Sequence, residues 1–299
     1  MTYGNQSVLH GDLIDENVLG KLASIDQALG CSEPLADWEE LYLGFDLGTT
    51  NMKLVALNER GQPVTAALYD SRSSIRDGVI VDYIAAIDGM ERCLMALRER
   101  LGIDEFPGVG ASAYPPGISR RTAEVCANVV EALGFSCLGL YEEPVVAAVA
   151  LGLKRGAIID IGGGTTGIAV ISDDEVVYSA DEPTGGTHVT LVIAGALGIS
   201  FDEAERLKRD VNSHKKVFNI VRPVFEKMGL IAKDHLTKSG FLGRVPVVVV
   251  GGGANMQGAS EVISKVLGVE ATLAPYPLVV TPSGIAECLW RRCHGGYCK

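Results

Sequence analysis

Ile159-Asp-Ile-Gly-Gly-Gly-Thr-Thr166 and Phe45-Asp-Leu-Gly-Thr-Thr50 are two versions of one pattern. Each closes an apolar run with an aspartate, turns on glycine, offers two threonines and returns as a second apolar run. The paired runs are 41–46 with 53–58, and 157–161 with 168–171. A turn follows each pair, Asn58-Glu-Arg-Gly61 in one and Asp173-Asp174 in the other, and then a third run, 64–69 and 176–180. Short apolar runs bounded by Gly, Asn and Asp read as strands joined by tight turns. The repeat distance is far too long for a solenoid. The pattern therefore reads as a duplicated α/β domain, each copy presenting one hairpin turn.

The chain on either side supports that reading. In the first half, helical spacing over 82–101 (Ile84, Ile87, Leu94, Leu97) precedes a strand at 109–113, a helix at 120–133, a strand at 137–140 and a helix at 144–153. In the second half, helices are expected at 187–197, 202–209 and 217–236, the last irregular at Pro223. A wholly apolar strand, 247–250, then runs into Gly251-Gly-Gly-Ala254, followed by helices at 256–267 and 283–292. Ser200 with Glu203 three residues on forms a capping box. Alternating strands and helices indicate α/β architecture. Ahead of both copies, Val18, Leu19, Leu22, Ile25 and Leu29 recur at helical spacing behind a capping Asp15, and 30–34 break the run. A docking helix and linker fit residues 1–40; a poorly ordered terminus is the alternative.

Composition narrows the function. With 26 Lys and Arg against 37 Asp and Glu, the formal charge of −11 opposes a nucleic-acid partner. No apolar run approaches the roughly 18 residues of a membrane span. Asp12, Asp15 and Glu16 stand where a signal peptide wants cations. Seven cysteines, an odd number, suit reduced thiols and a cytoplasmic protein better than a disulfide framework.

The hairpin turns suit phosphate. Glycines let backbone N–H groups converge on an anion, and threonine hydroxyls add donors. An aspartate at each strand end would repel phosphate unless Mg²⁺ sat between them. Either turn alone is compatible with an ordinary glycine turn. Two together, with matching Asp and Thr-Thr, point to hairpins gripping the β- and γ-phosphates of a nucleotide from both sides. Other phosphate and hydrolytic motifs are absent: no G-x-x-x-x-G-K-[ST], no G-x-G-x-x-G opening a helix, no H-E-x-x-H and no G-x-S-x-G.

Five motifs in order resemble the actin-like ATPase superfamily, which includes DnaK-type chaperones, sugar kinases, MreB and FtsA. Residues 45–51 resemble its first phosphate loop and 159–167 its second. Glu142-Glu-Pro-Val-Val-Ala-Ala-Val149 resembles its first connecting helix, 250–258 its adenosine loop, and Thr281-Pro-Ser-Gly-Ile-Ala286 its second connecting helix. Within the superfamily, 178–188, 195–210 and Val221-Arg-Pro223 resemble the chaperone-like EutJ family of ethanolamine-utilization operons, and Arg76-Asp-Gly-Val-Ile80 is similar to MreB as well. The resemblance implies an actin-like fold: two duplicated α/β domains around a nucleotide cleft, with small peripheral subdomains. Their boundaries would be 41–155, completed by a C-terminal helix at 280–295, and 156–279.

The resemblance also implies roles. Asp46 and Asp160 hold hydrated Mg²⁺. Gly48, Thr49 and Thr50, with Gly162, Gly163, Gly164, Thr165 and Thr166, bind the phosphates of ATP or ADP. Glu143 positions or polarises the attacking water, with Asp160 beside it in catalysis. Glu205 and Lys208 flank ribose and adenine, and Gly252, Gly253 and Asn255 line the adenosine pocket. Plainer readings stand beside these. Glu205 and Lys208 suit an exposed i,i+3 ion pair, Glu143 a carboxylate favoured at a helix start, and Lys53 a solvated edge lysine.

Glu143 follows Asp46 by 97 positions and Gly251 follows Asp160 by 91, which leaves room for small peripheral subdomains only, and the 48 residues after Gly251 are too few for a DnaK-type peptide-binding domain. Cys288, Cys293, His294 and Cys298 end the chain at a spacing nonstandard for zinc, so a thiol-bearing tail is the simpler reading. Three classes compete: a nucleotide-switched chaperone-like protein, a polymerising MreB- or FtsA-like filament, and a small-molecule kinase or ATP-driven activator. Acidic charge, short peripheral segments and the lack of a basic amphipathic anchor favour the first. It would be a weak Mg²⁺-dependent ATPase with a protein client in ethanolamine metabolism, in the cytoplasm and associated with a bacterial microcompartment.

Overall fold

The computed structural model describes residues 14–70, 75–76, 79–106 and 108–296. The first half runs α1 (Glu16–Ala28), β1 (Leu41–Leu47), β2 (Asn51–Asn58), β3 (Pro63–Asp70), β4 (Ile75–Arg76), β5 (Val79–Ile80), α2 (Tyr83–Leu101), β6 (Val109–Tyr114), α3 (Arg120–Ala132), β7 (Ser136–Glu142) and α4 (Glu143–Ala150). The second runs β8 (Gly156–Ile161), β9 (Thr166–Ser172), β10 (Glu175–Glu182), α5 (Gly186–Leu197), α6 (Phe201–Arg209), α7 (His214–Lys238), β11 (Val247–Val250), α8 (Ala259–Leu267), β12 (Ala271–Leu273) and α9 (Val280–Cys293).

The duplication is visible in topology. One five-stranded sheet has the order β3-β2-β1-β6-β7 and the other β10-β9-β8-β11-β12. In each, the first three strands pair antiparallel and the last two join the first in parallel. The molecule is therefore a two-domain α/β protein, as expected from the paired hairpins.

Side chains alternate faces along a strand, and that alternation builds the layers. In β1, Leu41, Leu43, Phe45 and Leu47 pack outward with α2 and α3 residues such as Leu94 and Val130. Tyr42 packs the other way, into a core shared by both sheets. In β8, Ala157, Ile159 and Ile161 face the core that includes Val221 and Ile263, while Ile158 joins the shared core. Asp46 and Asp160 continue the Tyr42 and Ile158 rows, so the pleat aims both carboxylates into the space between the sheets.

Helices α4 and α9 fill that space below the carboxylates. They cross so closely that a Cβ at Gly284 would lie 1.9 Å from the Val146 carbonyl oxygen. Helix α1 docks on this layer through Leu22, Ile25 and Ala28, its first turn capped by Asp15. The capping box of α6 is present, Ser200 accepting from the Glu203 amide and Glu203 from the Ser200 amide.

Several expectations need correction. Helix α7 runs unbroken through Pro223, which lies on its exposed face. Helix α8 begins at Ala259, not 256, because a 3₁₀ turn at Gly252–Ala254 precedes it. Helix α9 begins at Val280, not 283; Pro282 sits in its first turn, where a missing N–H costs nothing. Strands β4, β5 and β12 were not anticipated, each being two or three residues long. Cys288 is disulfide-bonded, against the expectation of reduced thiols throughout, while Cys31, Cys93, Cys126, Cys137 and Cys293 are free. The readings that rested on Asp12, on Cys298 and on part of 76–80 lie outside the described residues. Among the described residues, no helix is long and apolar enough to cross a membrane.

Candidate functional site

The two hairpin turns face each other across a cleft that opens to solvent. The first turn contributes Asp46, Gly48, Thr49 and Thr50, and the second Asp160, Gly162, Gly163, Gly164 and Thr165. The turns nearly touch: a Cβ at Gly163 would lie 2.6 Å from Thr50 Oγ1. Two carbonyls of the second turn are taken by the start of α5. Gly186 donates to Gly162 at 2.9 Å and Thr187 to Gly163 at 2.8 Å. That ties the turn to the start of α5 and spends the helix's first amides on the turn's own carbonyls.

Three buried or half-buried acids converge at the cleft floor. Asp46 is ion-paired with Lys53 of β2, its cross-strand partner. Asp160 accepts a 2.8 Å hydrogen bond from Thr281 Oγ1 of α9. Burial pushes the Asp160 carboxyl up to about 6, and the charge of Asp46 adds to this against the opposing pull of Thr281 and Lys53. Glu143, at the start of α4, is half-buried and lines the same cleft. Burial, then the charges of Asp160, Asp46 and Asp181, push its carboxyl well above the usual range. This is an acid cluster short of cations. Asp46 and Asp160 suit Mg²⁺, a hard cation commonly held by one or two carboxylates together with phosphate oxygens. Among the described residues, no group of three or more His, Cys, Asp or Glu is disposed to hold a metal unaided.

The far end of the cleft is built from α5, α6 and the loop after β11. Glu205 is 4% exposed and meets Lys208 Nζ at 2.7 Å and Arg209 Nε at 2.7 Å. Thr190 Oγ1 donates to the same carboxylate. Burial alone would raise Glu205, but Lys208, Thr190 and Arg209 outweigh it and hold the carboxyl below its ordinary value. The Glu205–Lys208 pair is thus buried in the cleft wall and not a solvated surface pair. Gly252, Gly253 and Asn255 line the wall beside it. His214 lines it too. It accepts from the Gln257 amide at Nδ1 (3.2 Å), so Nε2 carries the proton given to the Lys208 carbonyl at 2.9 Å. With both nitrogens engaged, the ring offers the cleft an apolar face.

The cleft gathers every expected site residue except Thr166. That side chain turns inward, and its hydroxyl donates to the Thr184 carbonyl. Lys53 overturns the solvated-edge reading: its side chain is 12% exposed and points at Asp46. Arg209, Thr281 and His214 were missed. Arg209 had a signal, lying four residues after Glu205 on one helix face. In the sequence Thr281 marks only the start of a connecting helix, because the Asp160 it serves lies 121 positions away; His214 is a lone histidine whose second partner, the Gln257 amide, lies 43 positions on.

Comparison with known proteins identifies the family and the fold. A family model for MreB/Mbl protein matches residues 70–217, and one for cell division protein FtsA matches 157–283. Ethanolamine utilization protein EutJ of Escherichia coli (strain K12) is 34% identical over 267 residues, 89% of this chain and 92% of that protein. The crystal structure of EutJ from Carboxydothermus hydrogenoformans superposes with a TM-score of 0.84 at 40% identity, over 91% of this chain and 98% of that one. MreB 5 of Spiroplasma citri bound to AMPPNP shares the fold at a TM-score of 0.69 and 20% identity, over 83% of this chain and 95% of that one. By this similarity along nearly its whole length, the chain belongs to the EutJ family of ethanolamine utilization proteins and has the actin-like ATPase fold.

Proposed function

We propose that the cleft binds ATP with Mg²⁺ and that the protein is a nucleotide-switched, chaperone-like component of ethanolamine utilization. The observation that carries this reading is the convergence of Asp46, Asp160 and Lys53 beneath two facing glycine–threonine turns. Asp46 and Asp160 would hold hydrated Mg²⁺, which neutralises charge on the transferring phosphoryl group. Gly48 to Thr50 and Gly162 to Thr165 would donate to the phosphates from backbone and hydroxyl groups. Lys53 would turn from Asp46 to a phosphate oxygen. Glu205 and Lys208 would take the ribose hydroxyls, and Gly252, Gly253, Asn255 and the His214 ring would shape the base pocket. In a weak hydrolysis, Glu143 orients a water and takes its proton as the water oxygen bonds to the γ-phosphorus. The bond from γ-phosphorus to the bridging oxygen breaks, leaving ADP and phosphate.

Closure of the two halves on ATP and relaxation after hydrolysis would supply the switch. The names of the EutJ relatives support a place in ethanolamine utilization; a protein client there, and a cytoplasmic location at a microcompartment, belong to the proposal. Thermal melting tests the nucleotide site. Saturating ATP·Mg²⁺ should raise the Tm by ~5–10 °C, the shift expected of a ligand near a hundred times its Kd. Asp160→Asn should lose most of the part that depends on Mg²⁺. An unchanged wild-type Tm at millimolar ATP·Mg²⁺ sinks the reading.

A further inference from the structure

Arg209 is shared by two carboxylates from opposite halves of the molecule. Within α6 its Nε lies 2.7 Å from Glu205 Oε1. Across the cleft its Nη1 lies 2.8 Å from Asp70 Oδ1, at the last residue of β3. Arg209 lines the cleft; Asp70 stands outside the lining. The two ends of this bridge differ in strength. Glu205 is 5% exposed in its side chain, is also held by Lys208 and Thr190, and anchors the guanidinium to α6. Asp70 is 43% exposed, so its contact is screened by water and salt. When the halves part, the bridge gives way on the side of the first half, at Asp70 and at the 3.3 Å contact of Arg209 Nη2 with Asn51 Oδ1.

The walls beside the bridge are suited to closing. Leu68 of β3 and Val211, two residues beyond Arg209, line the cleft from opposite halves and remain 36% and 44% exposed. Both would lose water contact if the cleft shut. The bridge thus spans two surfaces that gain from approaching each other.

We propose that Asp70 is a positioning residue for nucleotide retention. By holding Arg209 from the opposite half, it latches the edge of the first sheet to the helix that carries Glu205 and Lys208, and so slows the opening through which nucleotide leaves. This rests on the proposed nucleotide site, and it adds a residue that touches neither phosphate, ribose nor base.

Release of mant-ATP·Mg²⁺, chased by excess unlabelled ATP in a stopped-flow mixer, tests the latch. Asp70→Asn should speed dissociation about two- to fivefold, the range set by one exposed ion pair. Asp70→Glu, which keeps the charge, should restore most of the wild-type rate. Added NaCl should quicken wild-type release towards that of Asp70→Asn and move the variant less. A purely structural role for Asp70 would leave neither the charge rescue nor the difference in salt response. Wild-type binding with an unchanged rate in Asp70→Asn, or parallel salt responses, overturns the latch alone. A wild-type protein that takes up no mant-ATP overturns the nucleotide site and the latch together.

Discussion

The two hairpins share a backbone plan and differ in charge. In the first, Asp46 lies across the strand from Lys53; in the second, Asp160 lies across from Gly167. Beside Gly167 the space is taken by Pro144 and Asp181, each within 3.6 Å of where a Cβ would be. The first carboxylate therefore carries its own counter-ion. The second has one threonine hydroxyl, which burial outweighs, so its carboxyl sits near 6. Duplication kept the carboxylate at the strand end, where the pleat aims it into the cleft. It did not keep the compensation. On the proposed reading, the neutralised half would exchange Lys53 for a phosphate, and the uncompensated half would receive a cation and act beside Glu143.

The largest effect expected from this asymmetry is catalytic. Glu143→Gln keeps the shape of the carboxyl that lines the cleft with Asp160 and removes its charge. Turnover should fall roughly 10²-fold, the lower range for a positioned base, with ATP affinity nearly unchanged. Equal loss of binding and turnover, by calorimetry and steady-state assay, would make Glu143 structural.

Lys53→Met comes next. It strips the compensated half of its cation and leaves Asp46 facing Glu143 and Asp160. Breaking a buried pair costs about 3–5 kcal/mol, and because this pair borders an open cleft about 2–3 kcal/mol is expected. Urea unfolding should show the loss above about pH 6 and a smaller one in acid, where the neighbouring acids take up protons. Equal stability of variant and wild type at both pH values would remove the claimed coupling.

The smallest effect is also the sharpest contrast. The Asp160 carboxyl, raised from 3.8 to about 6 in the folded protein, binds its proton more tightly there than in the unfolded chain. The stability it lends is full below about pH 4 and is lost as pH rises through about 6. Without nucleotide or Mg²⁺, Asp160→Asn should therefore raise stability near pH 7.5 by roughly 1–2 kcal/mol and flatten the acid limb. Asp46→Asn, which orphans Lys53, should lower stability at the same pH. Shifts of the same sign in the two variants would mean the hairpins are electrically alike.

Much of this was legible in the residues themselves. Gly–Thr-Thr turns, apolar runs of period two, Asp15 and the Ser200–Glu203 box are local signals, and each acts on groups within a few residues. What failed to show was contact between distant segments. Lys53 looked like an edge lysine because the place of its strand between β1 and β3, and so its enclosure beside Asp46, is set by the assembled sheet. Arg209 looked like one of many basic residues on a charged helix, since Asp70 is 139 positions away. Thr166 matched its neighbour Thr165 in type, yet the strand's alternation sends its hydroxyl to the Thr184 carbonyl, away from the cleft.

By itself the sequence determined the duplicated α/β plan, the strand ends that bear Asp46 and Asp160, and the glycine–threonine turns that meet at the cleft. Those follow from backbone geometry, because a two-residue strand period and a glycine turn mean the same thing wherever they occur. Only the tertiary structure decided which acid is paired and which is bare, how deep Glu205 lies, and where Arg209 joins the two halves. Charge and burial are properties of what surrounds a group, and in this fold those surroundings come from residues far along the chain.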